Sequence, residues 1–199
     1  MKKSNPVAIG LRAKTARAIV VVLGGPKDSP VVISKFEIPL ADAKVPATFQ
    51  PYHAVMELPW TESQQAVKKS VRAIEAIARK ELARLIKELA GDGLTTRAVG
   101  VVGALDRDLA RIGNFHIRAH AAEGILFRRV LEHAADAQGL ARRSFPDRNF
   151  DAAAAAELGK KSSLPKQQIA DLGRYLPAPW RADEKQAAMA AWIALHVPD

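Results

Sequence analysis

The fold is decided by residues 7–38, which read VAIGLRAKTARAIVVVLGGPKDSPVVISKFEI. Three largely apolar segments, 7–11, 16–23 and 31–38, have the length of β-strands and are separated by short connections. The connection at 24–30 is rich in Gly, Pro, Asp and Ser, which adopt the backbone angles of hairpin turns. The sequence therefore predicts a meander of three strands at the start of the chain.

Helical patterns dominate the rest of the sequence. Apolar residues recur at helical spacing from Thr61, and Gly91 provides a residue suited to end that helix. A strand at 97–102, a second helix at 115–138 and a brief strand at 142–145 follow. An Ala-rich segment at 151–158 and two further helices, at 164–175 and 182–195, complete the chain.

The order of these elements, β-β-β-α-β-α-β-α, indicates an α/β fold. Helical crossovers place the fourth and fifth strands parallel to the first, so we expect a mixed five-stranded sheet with helices on both faces. Residues 1–199 are predicted to form a single domain. The proline-rich segment 39–60 is expected to be an ordered loop that covers a sheet edge or lines a site.

Composition narrows the possible classes of protein. The chain has 199 residues, 48% of them hydrophobic, which is enough for one sizeable core. It contains no cysteine, so disulfides, thiolate metal sites and a cysteine nucleophile are excluded. No apolar run approaches the ~20 residues of a membrane span, and no apolar signal segment is visible near residue 1. These features predict a cytoplasmic protein without a membrane partner.

The charge is strongly positive, with 30 Lys and Arg residues against 21 acidic residues and a net charge of +9. Such an excess attracts polyanions, which favours DNA or RNA as a partner, and it also keeps a protein soluble. Basic residues are dense near the first two strands and between residues 107 and 148. A nucleic-acid surface and a merely solvated surface are both compatible with this pattern.

Two short motifs resemble those of a known family. Residues 7–16, VAIGLRAKTA, look like the strand-turn-strand start of the RuvC-type Holliday-junction resolvase branch of the ribonuclease H-like fold. Residues 181–190, RADEKQAAMA, look like the Asp-Glu-x-x-x-Ala helix that closes such domains. The resemblance implies a three-layer ribonuclease H-like fold.

The resemblance also implies a metal-dependent acidic site. Carboxylates on strand 1, near the end of strand 4 and at the start of the last helix would hold two Mg²⁺ ions for phosphodiester cleavage. By motif, the last acids are Asp183 and Glu184, and Asp106 loosely represents the strand 4 acid. The strand 1 acid is missing, because the matching region offers Leu11 and Arg12. We therefore expect a nucleic-acid-binding protein with a degenerate or rearranged nuclease site.

Four basic residues are the predicted contacts for phosphate. Arg12 and Lys14 lie at the end of the first strand, Arg17 starts the second, and Arg118 lies in the second helix. The alternative is a non-enzymatic scaffold of the same fold that forms a homodimer through a sheet edge or through an amphipathic final helix. Binding of nucleic acid at low salt separates the two hypotheses.

A second metal hypothesis concerns the helix at 115–138. His116, His120 and Glu123 follow each other at i, i+4 and i+7, which places their side chains on one helical face. Two imidazoles and a carboxylate can bind one ion there, although ordinary solvated or hydrogen-bonded side chains explain the same spacing. The sequence leaves these alternatives open.

Overall fold

The computed structural model describes residues 5–159 and 163–198 and contains a mixed five-stranded sheet. The strands run in the spatial order β3-β2-β1-β4-β5, with β1 at the centre. Neighbouring β2 is antiparallel to β1 and to β3, whereas β4 is parallel to β1 and to β5. The strands are β1 Asn5–Lys14, β2 Arg17–Gly24, β3 Val31–Pro39, β4 Leu94–Gly103 and β5 Ala141–Pro146. The predicted mixed five-stranded α/β sheet is confirmed.

Helices cover both faces of this sheet. The helix predicted from Thr61 begins at Trp60 and is divided at the buried residue Val67, whose ψ of −9° turns the backbone. Short 3₁₀ turns occur at Pro46–Thr48 and His53–Val55 within the proline-rich loop. The α-helices are α1 Trp60–Ala66, α2 Lys68–Gly91, α3 Phe115–Ala137, α4 Phe150–Glu157, α5 Ser163–Leu172 and α6 Ala182–Leu195. None of the helices in the described part of the chain is long and apolar enough to span a membrane.

The two faces of β1 pack against different helices, because successive side chains of a strand point to opposite sides. Val7, Ile9 and Leu11 belong to the core formed with α2 and α3. Ala8 belongs to the second core, formed with α4, α5 and α6. The same alternation places the Arg12 side chain on the α6 face at the end of the strand.

Close packing of α6 on the sheet depends on two glycines. A Cβ built on Gly10 would lie 1.8 Å from the carbonyl oxygen of Ala187, and one on Gly100 would lie 2.2 Å from that of Ala190. Only a residue without a side chain allows the helix backbone to approach so closely. This contact fixes α6 directly over β1 and β4.

Helix α6 is buried on all sides. Every residue from 187 to 195 is buried, and Trp192 is fully enclosed, with its indole Nε1 donating to the carbonyl of Lys27 at 2.6 Å. A helix that is apolar all round belongs inside a protein, not at its surface. The final helix is therefore not amphipathic, contrary to the expectation, and α4 and α5 cover its outer face.

Candidate functional site

The carboxyl ends of the three parallel strands lie side by side. Arg12 of β1 is in register with Val102 of β4, and Gly103 of β4 with Pro146 of β5. The backbone N–H of Asp147 donates to the carbonyl of Gly103 at 2.9 Å. We call the ends of β1, β4 and β5, the residues that follow them, and the first turn of α6 the carboxyl edge. Open α/β sheets bind their ligands outside this edge.

Two cations and two carboxylates meet at the carboxyl edge. Arg12 Nη2 lies 3.3 Å from Asp147 Oδ2, and Arg12 Nε lies 3.3 Å from Asp183 Oδ1. Lys14 Nζ lies 3.1 Å from Asp183 Oδ2. The Arg12 side chain is only 12% exposed, so its charge is held largely within the protein. These four residues, the carboxyl-edge cluster, carry no net formal charge.

Glu184, the second predicted acid of α6, caps its own helix. Its Oε2 accepts a hydrogen bond of 2.8 Å from the backbone N–H of Arg181, as in a capping box. The residue is buried, with 8% of its surface exposed. Its carboxylate therefore satisfies an orphan N–H at the helix start.

Asp106, the loosely matched strand 4 acid, lies beyond β4 and pairs with α3. Its Oδ1 contacts Arg128 Nη2 and lies 3.3 Å from Arg129 Nη2. Desolvation raises the pKa of Asp106, but the combined pull of the two guanidinium groups outweighs it, so the pKa is lowered. Asp106 thus pairs with cations of α3, whereas Asp183 pairs with Arg12 and Lys14 of β1.

These acids do not fit a pair of Mg²⁺ ions. Mg²⁺ requires carboxylate and water oxygens in an octahedral shell. At Asp183, both carboxylate oxygens already face the cations of Arg12 and Lys14, which would repel a divalent ion. Glu184 is turned to the helix N-terminus and Asp106 to α3. Among the described residues, Asp183, Glu184 and Asp106 therefore do not form a set of ligands suited to Mg²⁺.

Arg12 is the residue of β1 that faces Asp183, the first acid of α6. The resemblance puts the missing strand 1 acid at Leu11, but Leu11 is fully buried in the core with α2 and α3. Because alternate residues of a strand face opposite sides, the next residue is the one that reaches Asp183. A cation thus stands at the end of the central strand, facing the acids.

The other two predicted phosphate contacts are engaged elsewhere. Arg17 pairs with Glu37 across β2 and β3, with Nε 3.2 Å from Oε2, and remains half exposed. Arg118 is buried, and its guanidinium carbon lies 5.7 Å from the ring centroid of Trp60 and 5.0 Å from that of Phe115. These cation–π contacts occupy Arg118, so it is not among the phosphate contacts that we propose below.

Exposed arginines lie in the segments that adjoin the carboxyl ends of β4 and β5 and the start of α6. Arg107 follows β4, Arg148 follows β5, and Arg181 immediately precedes α6. All three are exposed, and in the described ranges none of them forms an ion pair. Asp147, which sequence reasoning missed, adjoins Arg148. Its position directly after a predicted parallel strand was the available signal.

A separate cluster of three histidines lies where the proline-rich loop meets α3. The ring centroids of His53 and His120 are 4.3 Å apart, and those of His53 and His116 are 5.1 Å apart. Nε2 of His116 lies 3.0 Å from Nε2 of His120. Glu123 is 1% exposed and reaches His53, not the other two. The predicted helical face is therefore formed, but the third imidazole comes from the loop.

Comparison with known proteins finds similarity in fold. No family model and no curated protein matches the chain. The chain is similar to T. thermophilus RuvC in complex with a Holliday junction substrate, with a TM-score of 0.49 and 13% identity over 94% of this chain and 90% of that chain. A second structure of RuvC from Thermus thermophilus gives a TM-score of 0.48 and 13% identity over 94% and 92%. The mixed five-stranded sheet with helices on both faces is the one predicted for the ribonuclease H-like fold.

Proposed function

We propose that the protein binds nucleic acid through the carboxyl edge and that internal ion pairs, not divalent cations, neutralise the acids there. The observation that supports this most is the position of Arg12, with Nη2 3.3 Å from Asp147 and Nε 3.3 Å from Asp183. Acids whose charge is balanced by ion pairs with Arg12 and Lys14 no longer repel phosphates. The exposed guanidinium groups around them then give this edge a positive field.

The geometry of the edge suits contacts with a phosphate backbone. Arg107, Arg148 and Arg181 come from three separate elements that converge at the ends of the parallel strands. The side chain of Lys14, paired with Asp183, is 34% exposed and can also be reached by a phosphate. Phosphate contacts of this kind give binding that is independent of sequence and sensitive to salt. The overall charge of +9 supports the same partner.

Binding without cleavage follows from the same arrangement. Hydrolysis of a phosphodiester by two metal ions needs carboxylates free to hold those ions. Asp183 is paired with two cations and Glu184 caps α6, so neither carboxylate is free for that role. We propose that the protein recognises nucleic acid as a binding protein of the ribonuclease H-like fold.

The test measures affinity by fluorescence anisotropy with a duplex DNA, a four-way DNA junction and a single-stranded RNA. In the double variant Arg107→Glu, Arg148→Glu we expect at least a roughly tenfold loss of affinity and a salt slope reduced by about 2. The control double variant is Lys80→Glu, Lys87→Glu, which changes the charge equally on exposed positions of α2. Its affinity should change much less than that of the arginine variant.

Two results would reject the proposal. Equal weakening in both double variants would mean that total charge, not the carboxyl edge, attracts the probe. No binding of any of the three probes at low salt would favour the non-enzymatic scaffold instead. In that case, the edge strands β3 and β5 would be the candidates for a homodimer interface, since most of α6 is buried.

A further inference from the structure

We propose that His53, His116 and His120 form a binding site for one transition-metal ion, best matched by Zn²⁺. Each imidazole offers one nitrogen, and these three ligand atoms all lie within 4.8 Å of one another. Imidazole nitrogens are preferred ligands of Zn²⁺, and three of them leave a fourth tetrahedral position open. The site is independent of the carboxyl-edge cluster and does not rest on the proposed binding of nucleic acid.

The spacing of His116 and His120 on α3 allows both to bind the same ion. His116 and His120 are one helical turn apart on α3, and their Nε2 atoms are 3.0 Å apart. With Zn–N bonds of about 2.0–2.1 Å, two ligands of a tetrahedral site are separated by roughly 3.3 Å. A small rotation of either exposed ring reaches that separation. The same two nitrogens can alternatively share one N–H···N hydrogen bond, which the experiment below distinguishes.

The third ligand is held in place by a buried carboxylate. Glu123 Oε1 lies 2.9 Å from His53 Nδ1 and accepts hydrogen bonds of 3.1 Å from the backbone N–H groups of Tyr52 and His53. A carboxylate against the non-ligating nitrogen is the usual outer partner of a metal-bound histidine, and it fixes the ring orientation. Glu123 thereby acts as a positioning residue.

Both ring nitrogens of His53 are buried and make no hydrogen bond in the described part of the chain, although burial of unpaired polar atoms is costly. Nδ1 lies 2.9 Å from the carboxylate oxygen Oε1 of Glu123. With Nδ1 directed to Glu123, Nε2 is the atom left to bind an ion. A metal at this point would satisfy it and would join the proline-rich loop to α3.

The charge of the surroundings is compatible with a cation. Glu123, with 1% of its surface exposed, supplies one negative charge directly behind His53. Arg118, which lies between the two helical histidines in the sequence, is directed to the rings of Trp60 and Phe115. His116 and His120 are both exposed, so the ion can enter from solvent.

The experiment titrates ZnCl₂ and CoCl₂ into the full chain, purified without a histidine tag. We expect calorimetry to show one Zn²⁺ per chain, Co²⁺ to give the visible absorption of a tetrahedral site, and Zn²⁺ to raise the Tm. His53→Ala and His116→Ala, His120→Ala should lose all three signals. Glu123→Gln should bind about 10–100-fold more weakly while still giving the Co²⁺ absorption.

His133→Ala is the matched control, because His133 is exposed on the same helix but outside the cluster. Its affinity for Zn²⁺ should equal that of the unmodified protein. Circular dichroism of each metal-free variant checks that the fold is retained. Absence of calorimetric heat and of Co²⁺ absorption in the unmodified protein would overturn the proposal, as would equal losses in the control and the cluster variants.

Discussion

Arg12 Nε lies 3.3 Å from Asp183 Oδ1, and this contact joins the end of the central strand to the first turn of the last helix. It exists because α6 approaches the sheet backbone at Gly10, two residues before Arg12. The same face of the strand thus carries the glycine that admits the helix and the cation that meets its first acid. Because alternate residues of a strand share one face, the packing of α6 at Gly10 also brings Asp183 to Arg12.

Neutralising Asp183 should strengthen the binding of nucleic acid. Asp183→Asn removes the carboxylate that pairs with Arg12 and Lys14, so both cations become more available to phosphate. We expect a several-fold higher affinity for duplex DNA and a steeper salt dependence by anisotropy. Thermal unfolding should show a loss of stability of about 1–2 kcal/mol, since an ion pair that is partly buried is broken.

The charge-matched control is Glu88→Gln, which frees Arg84 from one partner on α2. Its affinity should stay close to that of the unmodified protein. Weaker binding in Asp183→Asn would contradict the account and would indicate that the carboxylate itself serves the partner, as a metal ligand would.

Gly10→Ala should severely destabilise the protein. The added methyl group would meet the carbonyl oxygen of Ala187 at 1.8 Å, and a helix backbone cannot yield without displacing all of α6. Overpacking of this kind costs about 3 kcal/mol or more. Chemical denaturation followed by circular dichroism measures the loss.

Gly91→Ala provides the comparison, because a Cβ there meets nothing within 4 Å and the residue lies in the last turn of α2. It should be neutral or stabilising by up to about 1 kcal/mol. Equal stability of the two variants would show that α6 does not pack directly on β1.

The sheet was predictable because its strands follow simple rules. The apolar residues of β2 form a continuous run, as expected for a strand covered on both faces, and 24–30 has turn-forming composition. It was harder to predict which residues of β1 face α6. Leu11 and Arg12 are adjacent, and only the packing of α6 shows which of them faces Asp183. The burial of α6 was also harder to predict, because the two helices that cover it, α4 and α5, are short.

The histidine cluster was only half visible in the sequence. His116 and His120 lie at helical spacing, so local periodicity brings them together. His53 belongs to a loop more than sixty residues earlier, and no local rule places it beside them. Its contact with Glu123 depends on the path of the proline-rich loop over α3, which is a tertiary property.

Arg128→Gln should raise the pKa of Asp106. Desolvation already raises it, and the ion pairs with Arg128 and Arg129 pull it below its ordinary value. Removing the stronger partner therefore shifts the carboxyl titration upward, which carboxyl-detected NMR measures. Arg111→Gln, an exposed arginine of the same loop, should leave it unchanged.

The lowered pKa of Asp106 should also make the stability of the protein fall at acid pH. A carboxyl whose pKa is lowered on folding contributes stability above its unfolded pKa of about 3.9, and this is lost as the pH falls through the folded value. The unmodified protein should thus lose more stability than Arg128→Gln between about pH 5 and pH 3. An identical pH dependence in both proteins would argue against the Asp106 ion pairs.

The most direct test of the central claim compares binding of a four-way DNA junction in EDTA and in millimolar Mg²⁺ at matched ionic strength, with the products examined on a denaturing gel. Arg12 and Lys14 already neutralise Asp183, so affinity in EDTA should equal or exceed that in Mg²⁺, and the strands should remain intact. Binding that requires Mg²⁺, or Mg²⁺-dependent cleavage that Asp183→Asn abolishes, would contradict the account.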